Sequence, residues 1–273
     1  MISGNCIIAF YTGILMSYLE SLFSLNGKVA CVLGGTSGIG QAIGRGFAQA
    51  GATVVSSSRD QAKVDAEAKE LEALGSKTIR VTSDVTNRES LDAACAAIVK
   101  EFNRVDVLVV TSGVHHKAPS ADVSEHDWTR VIDANLNGSF RADQIFGRQM
   151  IAQGAGSIIN IASLTSFVAF GEVTAYASSK CGVIMLTKQL ASEWAAKGVR
   201  VNAIAPGVFR TPLNTKALDI PERAAAILGK TPMGRFGQTE ELVGAAIYFA
   251  SDAAKFCTGQ ILAVDGGFLA KGI

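Results

Sequence analysis

The sequence predicts an α/β fold: a single domain on a doubly wound parallel sheet of seven strands. Three observations predict it. Short apolar runs alternate with segments of helical periodicity along most of the 273 residues. The runs are almost continuously hydrophobic rather than alternating, as expected of parallel strands covered on both faces. A glycine-rich turn joins the first run to the first helical segment, the place where such sheets bind nucleotides.

The elements follow in order. The first strand is 28–33, and a helix at 39–50 places Ile39, Ile43, Phe47 and Ala50 near helical spacing. The second strand is 53–57, a polar-faced helix covers 60–74, the third strand is 77–85, and a helix covers 87–102. The fourth strand is 105–111. Helical periodicity then runs through 125–153, and the fifth strand is 157–162. A helix over 174–197 leads to the sixth strand at 200–206, and 260–266 is the seventh. No repeat, linker or low-complexity tract interrupts the series, so 26–273 reads as one domain and 1–25 as an amino-terminal extension. The least strand-like stretch, 207–236, together with the residue before it, gathers Pro206, Pro212, Pro221 and Pro232. An insertion at the carboxyl edge of a sheet is a candidate substrate lid.

Composition narrows the function. Twenty-five basic and 24 acidic residues give a net charge of +1 with no basic run, which argues against a nucleic-acid surface. The five cysteines (Cys6, Cys31, Cys95, Cys181 and Cys257) form no C-x-x-C pair and no metal pattern. They are expected to be buried, reduced thiols of a cytoplasmic protein, with no metal site. The apolar stretch 1–16 lacks an early Lys or Arg. It is too short to cross a bilayer and shows no cleavage pattern. No membrane association is expected, and residues 1–15 read as an extension ahead of a natural start at Met16.

The turn at 32–40 carries Gly34, Gly38 and Gly40, with Thr36, Ser37 and Ile39 among them. Glycine permits the tight turn and lets the backbone approach a pyrophosphate at the helix N-terminus. The end of the second strand then selects the nucleotide. An acidic residue there holds the ribose hydroxyls of NAD, but here Ser58 takes that place and Arg59 follows. A carboxylate would repel a 2′-phosphate, whereas a hydroxyl and a guanidinium bind it. NADP(H) is expected in preference to NAD(H), which stays possible. Asp60 is expected to cap the next helix. Asp84 either accepts from an adenine amino group or forms a turn.

Tyr176 and Lys180 stand four residues apart in a helical segment, on one face. Ser163 ends the fifth strand, at the carboxyl edge where open sheets bind ligands, and Asn135 lies in Ile-Asp-Ala-Asn-Leu-Asn. A free phenol, with a pKa near ~10, is a poor base at neutral pH. A nearby ammonium favours the phenolate, and tuning toward neutrality aids proton transfer in both directions. The reading gives Tyr176 the acid/base role, Lys180 the tuning role and Ser163 the substrate oxygen. Asn135 is expected to hold a water that relays protons from Lys180.

These residues resemble the short-chain dehydrogenases/reductases in their single-domain, Rossmann-fold form, over about 26–270. The resemblance rests on the glycine turn, Asn135, Ser163 with Tyr176 thirteen later, Tyr-Ala-Ser-Ser-Lys, Asn-Ala-Ile-Ala-Pro-Gly-Val-Phe-Arg-Thr and the late Ala-Val-Asp-Gly-Gly. It implies an alcohol–ketone oxidoreductase in which Lys180 also binds ribose and Thr211 bonds the nicotinamide carboxamide. Backbone around Val208 would touch the nicotinamide. Val85, Gly113, Pro206 and Gly207 join the implied cofactor site, and a homodimer or homotetramer is implied. Two departures stand out. Leu33 replaces a Thr before the first glycine, and Val110-Thr111-Ser112-Gly113 replaces Asn-Asn-Ala-Gly. Val110 cannot make the strand-tying bond of those asparagines, and Thr111 and Ser112 are expected to replace it only in part. Catalysis is still expected.

For the substrate, residues 230–270 are similar to sugar-acid members such as gluconate 5-dehydrogenases, and share most features with 3-oxoacyl-carrier-protein reductases. Arg130, Arg141 and Arg148 are candidates for an acidic carrier. Leu164, Phe167, Phe170, Val208 and Phe209 are expected to give the pocket an apolar lining, which suits other ketones as well. His115, His116 and Lys117 are candidates for a carboxylate. A non-catalytic nucleotide-binding relative is the alternative class, and the intact tetrad argues against it. Val183, Leu186 and Leu190 serve either the core or a subunit interface.

Overall fold

The computed structural model describes residues 18–211 and 214–272. Cys6, the proposed start at Met16 and Pro212 lie outside the described residues. Six parallel strands form one sheet: β1 (Val29–Leu33), β2 (Thr53–Ser57), β3 (Val107–Val110), β4 (Gly156–Ile161), β5 (Val199–Pro206) and β6 (Ile261–Val264). Their order is β2-β1-β3-β4-β5-β6. Cys31 pairs with Val55 on one side and Leu108 on the other, and Val110 pairs with Asn160.

The helices are α1 (Gly38–Gln49), α2 (Gln61–Ala73), α3 (Arg88–Phe102), α4 (Glu125–Ile132), α5 (Gly138–Gln153) and α6 (Thr174–Trp194). A short turn at Thr215–Leu218 precedes α7 (Pro221–Lys230) and α8 (Val243–Ala250). Each strand sends alternate residues to two cores. Val29, Cys31 and Leu33 join Leu91, Ile98, Phe146 and Trp194 on one face. Ala30 and Val32 join Ile43, Phe47 and Phe249 on the other. Burial on both faces is why the strands read as unbroken apolar runs.

The structure corrects the sequence reading in three places. The expected third strand, 77–85, lies along the free edge of β2 but is not a regular strand, so the sheet has six strands among the described residues rather than seven. It is tied by Val54 N–H to the Lys77 carbonyl (3.1 Å) and by Ser83 N–H to the Ser58 carbonyl (3.0 Å). Ser76 Oγ shares the Val54 N–H, and Ser57 Oγ donates to the Val81 carbonyl at 2.6 Å. Side-chain bonds thus stand where ladder bonds would. Second, a π-helical turn at Asp133–Asn137 divides the helical stretch 125–153 and buries Asn135. Third, Cys31 and Cys95 are buried as expected, but Cys181 is exposed and Cys257 half-buried. Cys181 follows Lys180 on α6 and falls on its outer side.

The segment 207–236 is closed at its base by Gly237 N–H donating to the Val208 carbonyl (3.0 Å). Asn214 stiffens it, donating to the Phe209 carbonyl at 2.7 Å and accepting from Thr211 N–H at 2.9 Å.

Candidate active site

The carboxyl ends of β1 and β3 build the nucleotide cradle. Gly34 has φ +83°, and a Cβ there would lie 2.6 Å from Thr111 Oγ1 and 2.9 Å from Ser112 N. A Cβ on Gly40 would lie 2.4 Å from the Gly34 carbonyl oxygen. Both positions therefore require glycine. Ser37, with Thr36 and Gly38 beside it, begins α1 with no side-chain cap and no acidic residue in the first turn. The N–H groups of that turn are left for an anion.

Thr111 repairs the departure after β3 more fully than expected. Its hydroxyl donates to the Leu33 carbonyl at 2.8 Å and ties β3 to β1, while Val110 is buried in the core. Sequence reasoning underrated Thr111 because a hydroxyl in place of an amide reads as a loss until the strand ends are seen side by side.

At the end of β2, Ser58 Oγ is buried without a partner. Arg59 is exposed. Asp60 caps α2 by accepting from Lys63 N–H at 3.2 Å, as expected. Ser58 thus has an unpartnered hydroxyl, the next residue is an exposed arginine, and the nearby carboxylate is engaged in a cap. Asp84 Oδ1 accepts from Thr86 N–H (2.9 Å) and Thr86 Oγ1 (2.7 Å), so one oxygen is spent on a turn. Val85 is buried against Gly138.

Ser163, Tyr176 and Lys180 meet between the end of β4 and the start of α6. Lys180 is 4% exposed, and its Nζ donates to the Ile161 carbonyl at 2.6 Å. The ammonium lies 5.8 Å from the centre of the Tyr176 ring. Burial lowers the Lys180 pKa to about 8. The Tyr176 phenol departs from expectation. Burial pushes its pKa up, and a hydrogen bond with Ser163 pulls it back in part. In the chain alone, desolvation outweighs the bond to Ser163, and the tuning by the ammonium that the sequence suggested does not set the direction.

Asn135 is completely buried and its side chain is engaged. Its Oδ1 accepts from Val114 N–H (2.8 Å), and Nδ2 donates to the Val114 carbonyl (2.9 Å) and Ser179 Oγ (3.0 Å). The π turn aims this amide at the loop after β3. Both amide hydrogens are spent, so the side chain clamps that loop to α6 and has no hydrogen left to donate to a relay water. Gly113 belongs to the same cluster. A Cβ there would be 3.1 Å from Asn135 Oδ1 and 3.9 Å from Lys180 Nζ. Ser179 and the Ile161 carbonyl were missed at the sequence level, since neither a serine inside Tyr-x-x-x-Lys nor a main-chain oxygen carries a signal.

On the other side, Pro206 ends β5 and Gly207 N–H donates to the Val264 carbonyl at 2.8 Å. A Cβ on Gly207 would lie 2.6 Å from the Asp265 Cα. Val208, Phe209, Met233 and Arg235 of the segment 207–236, with Asp265, line a cavity of about 260 Å³ that Ser163, Tyr176 and Lys180 do not line. Of the residues expected to form an apolar lining, Val208 and Phe209 border this cavity, Leu164 is buried and Phe167 is 49% exposed. Phe170 packs edge-on against Phe268 at 5.6 Å. In the loop after β3, Lys117 pairs with Glu172 at 2.9 Å and His116 lies 3.5 Å from Asp127.

Comparison with known proteins agrees with this geometry. The family described as Enoyl-(Acyl carrier protein) reductase matches residues 34–269. The 2-dehydro-3-deoxy-D-gluconate 5-dehydrogenase of Bacillus subtilis is 41% identical over 94% of this chain and 100% of its own. The 3-oxoacyl-[acyl-carrier-protein] reductase of Thermotoga maritima is 39% identical over 90% of this chain and 99% of its own. The crystal structure of a gluconate 5-dehydrogenase from Burkholderia cenocepacia, in complex with NADP and tartrate, has a TM-score of 0.90 at 36% identity. It covers 93% of this chain and 100% of its own. With the cradle and the Ser163–Tyr176–Lys180 cluster in place, the chain belongs to the short-chain dehydrogenases/reductases, oxidoreductases of CH–OH groups that use a nicotinamide dinucleotide.

Proposed function

We propose that the protein interconverts a secondary alcohol and a ketone with NADP(H), on a sugar acid. The observation that carries the reading is the meeting of Ser163, Tyr176 and Lys180 at one strand end, with Lys180 almost completely buried. The bound cofactor supplies or takes up the hydride. The first turn of α1, with Gly34, Thr36, Ser37, Gly38, Ile39 and Gly40, receives the pyrophosphate. Ser58 and Arg59 receive the 2′-phosphate. Asp84 and Val85 border the adenine, and Gly113, Pro206, Gly207, Val208 and Thr211 border the nicotinamide end.

Ser163 orients the substrate oxygen, and Tyr176 gives it a proton or takes one. Lys180 holds the ribose and the phenol, with the Ile161 carbonyl as its fixed acceptor. Asn135 keeps the loop after β3 in register with α6. The segment 207–236 closes over the substrate.

The names of relatives support a sugar acid. Lys117 is the cation offered to its carboxylate, exchanging Glu172 for substrate. An exposed pair of this kind contributes little to stability and exchanges easily. A 3-oxoacyl thioester is the second reading, favoured by the reductase relative. A homodimer or homotetramer fits the exposed Phe140 and Met185 on α5 and α6. Cysteine usage supports a cytoplasmic setting.

The test follows oxidation of NADPH and NADH with 5-ketogluconate, acetoacetyl thioesters and cyclic ketones. Turnover of 5-ketogluconate with NADPH is expected. Arg59→Ala should weaken NADPH alone by about 10-fold or more, the worth of a charge-assisted bond. Tighter binding of NADH than NADPH by the wild type would refute the cofactor assignment.

A further inference from the structure

Behind the reacting groups lies a titratable side chain with no part in the reaction described above. Asp143 on α5, Asn160 on β4 and Thr187 on α6 are all completely buried. Asn160 Nδ2 donates to Asp143 Oδ2 (2.9 Å) and to Thr187 Oγ1 (3.2 Å). The Thr187 hydroxyl donates to the Val183 carbonyl at 2.8 Å. Every donor of the cluster is committed, yet Asp143 Oδ1 and Asn160 Oδ1 both lack a partner. An ionised carboxyl here would be a buried charge with one oxygen unsatisfied. A neutral carboxyl brings one O–H, the single donor the cluster lacks. With one carboxyl oxygen already bonded to the amide N–H, a proton on the other would give the unpartnered amide oxygen a donor and close a two-bond acid–amide ring.

No cation on the neighbouring elements compensates a charge at Asp143. On its own helix, Arg141 turns to Asp133, in the π turn, and to the Val85 carbonyl. From α3, Arg88 bonds Gln144, and Cys95 is a neutral thiol pushed up to about 11 by burial. From β5, Arg200 turns to the Phe249 and Ser251 carbonyls. From α6, Lys180 is held by the Ile161 carbonyl and Tyr176 is a neutral phenol. Burial accordingly drives the Asp143 carboxyl up to about 7, opposed only by its bond to Asn160.

We propose that Asp143 works as a neutral carboxylic acid paired with Asn160, and that the pair positions the reacting lysine. Asn160 directly precedes Ile161, whose carbonyl holds Lys180 Nζ. Thr187 stands two turns beyond Lys180 on the same helix. The cluster locks the strand end that receives the ammonium to the helix that carries it. Ionisation of Asp143 removes the O–H bond and loosens that lock. The positioning half rests on the role given to Lys180 above; the protonation half does not.

Asp143→Asn keeps the shape and can pair amide to amide, but cannot ionise. In a carboxyl-carbon NMR titration, the resonance that D143N lacks should still be neutral at pH 6, after the exposed aspartates have ionised. The ordinary value is 3.8 and the folded one about 7. The folded-to-unfolded ratio of wild type relative to D143N should therefore fall about 300-fold between pH 4 and 7, and level off about a unit above. A carboxyl already ionised at pH 5, or a stability difference independent of pH, overturns the protonation. Wild-type kcat relative to that of D143N should fall as pH rises through 7. A constant ratio from pH 6 to 8.5 overturns the positioning role. The first two measurements need no substrate, so a failure of the proposed activity is distinguishable from a failure of this inference.

Discussion

Lys180→Met separates what the buried lysine does for the reaction from what it does to the fold. The structure gives Lys180 4% exposure and a pKa lowered from 10.5 to about 8 by burial. That difference corresponds to about 3 kcal/mol of destabilisation while the group is charged in both states. Below pH 8 the full penalty stands. Between pH 8 and 10.5 the folded chain gives up its proton first, the unfolded chain binds more protons, and stability rises with pH. Methionine keeps most of the stem and carries no charge, so the variant lacks both the penalty and its pH dependence. At pH 7 the relief is offset by loss of the charge-assisted bond to the Ile161 carbonyl, about 1.5–3 kcal/mol.

The variant should therefore be no less stable than wild type at pH 7. The wild type should gain about 2.5 kcal/mol on it between pH 7 and pH 10. Denaturant melts of both proteins at the two pH values measure this directly. Turnover should be lost at every pH. Stability curves that stay parallel within about 0.5 kcal/mol would show that Lys180 is not desolvated as the geometry requires.

The other predictions concern the cradle and the phenol. Tyr176→Phe should abolish turnover and leave the cofactor dissociation constant nearly unchanged; steady-state rates and a fluorescence titration check both halves. Gly40→Ala puts a Cβ 2.4 Å from the Gly34 carbonyl. Overpacking against backbone costs about 1–3 kcal/mol, so cofactor affinity should fall about 10- to 100-fold in the same titration. Thr111→Val removes the hydroxyl bond to the Leu33 carbonyl, which keeps the N–H of Thr111 and of Ser112. A stability loss of about 1 kcal/mol is expected in a urea melt, and a loss above about 3 kcal/mol would show that the tie does more.

The sequence by itself determined most of the sheet and the family. Strands buried on both faces tend to be apolar throughout, so β1, β3 and β4 were legible as runs. A turn such as 34–40, where Cβ atoms would strike backbone, must be glycine, so the cradle was legible as a motif. Tyr176 and Lys180 are joined by one helical turn, a spacing that local geometry alone fixes. What only the tertiary structure decided depends on partners distant in the chain. Thr111 completes the β1–β3 tie because Leu33, 78 residues away, presents its carbonyl there. The edge segment 77–85 is held to β2 by two backbone bonds and by the hydroxyls of Ser57 and Ser76 instead of a full ladder. Asn135 becomes a clamp because a π turn, invisible in periodicity, rotates it toward Val114. The direction of the Tyr176 shift and the neutral state of Asp143 follow from desolvation, a property of how densely other elements enclose a group, which no local pattern of residues encodes.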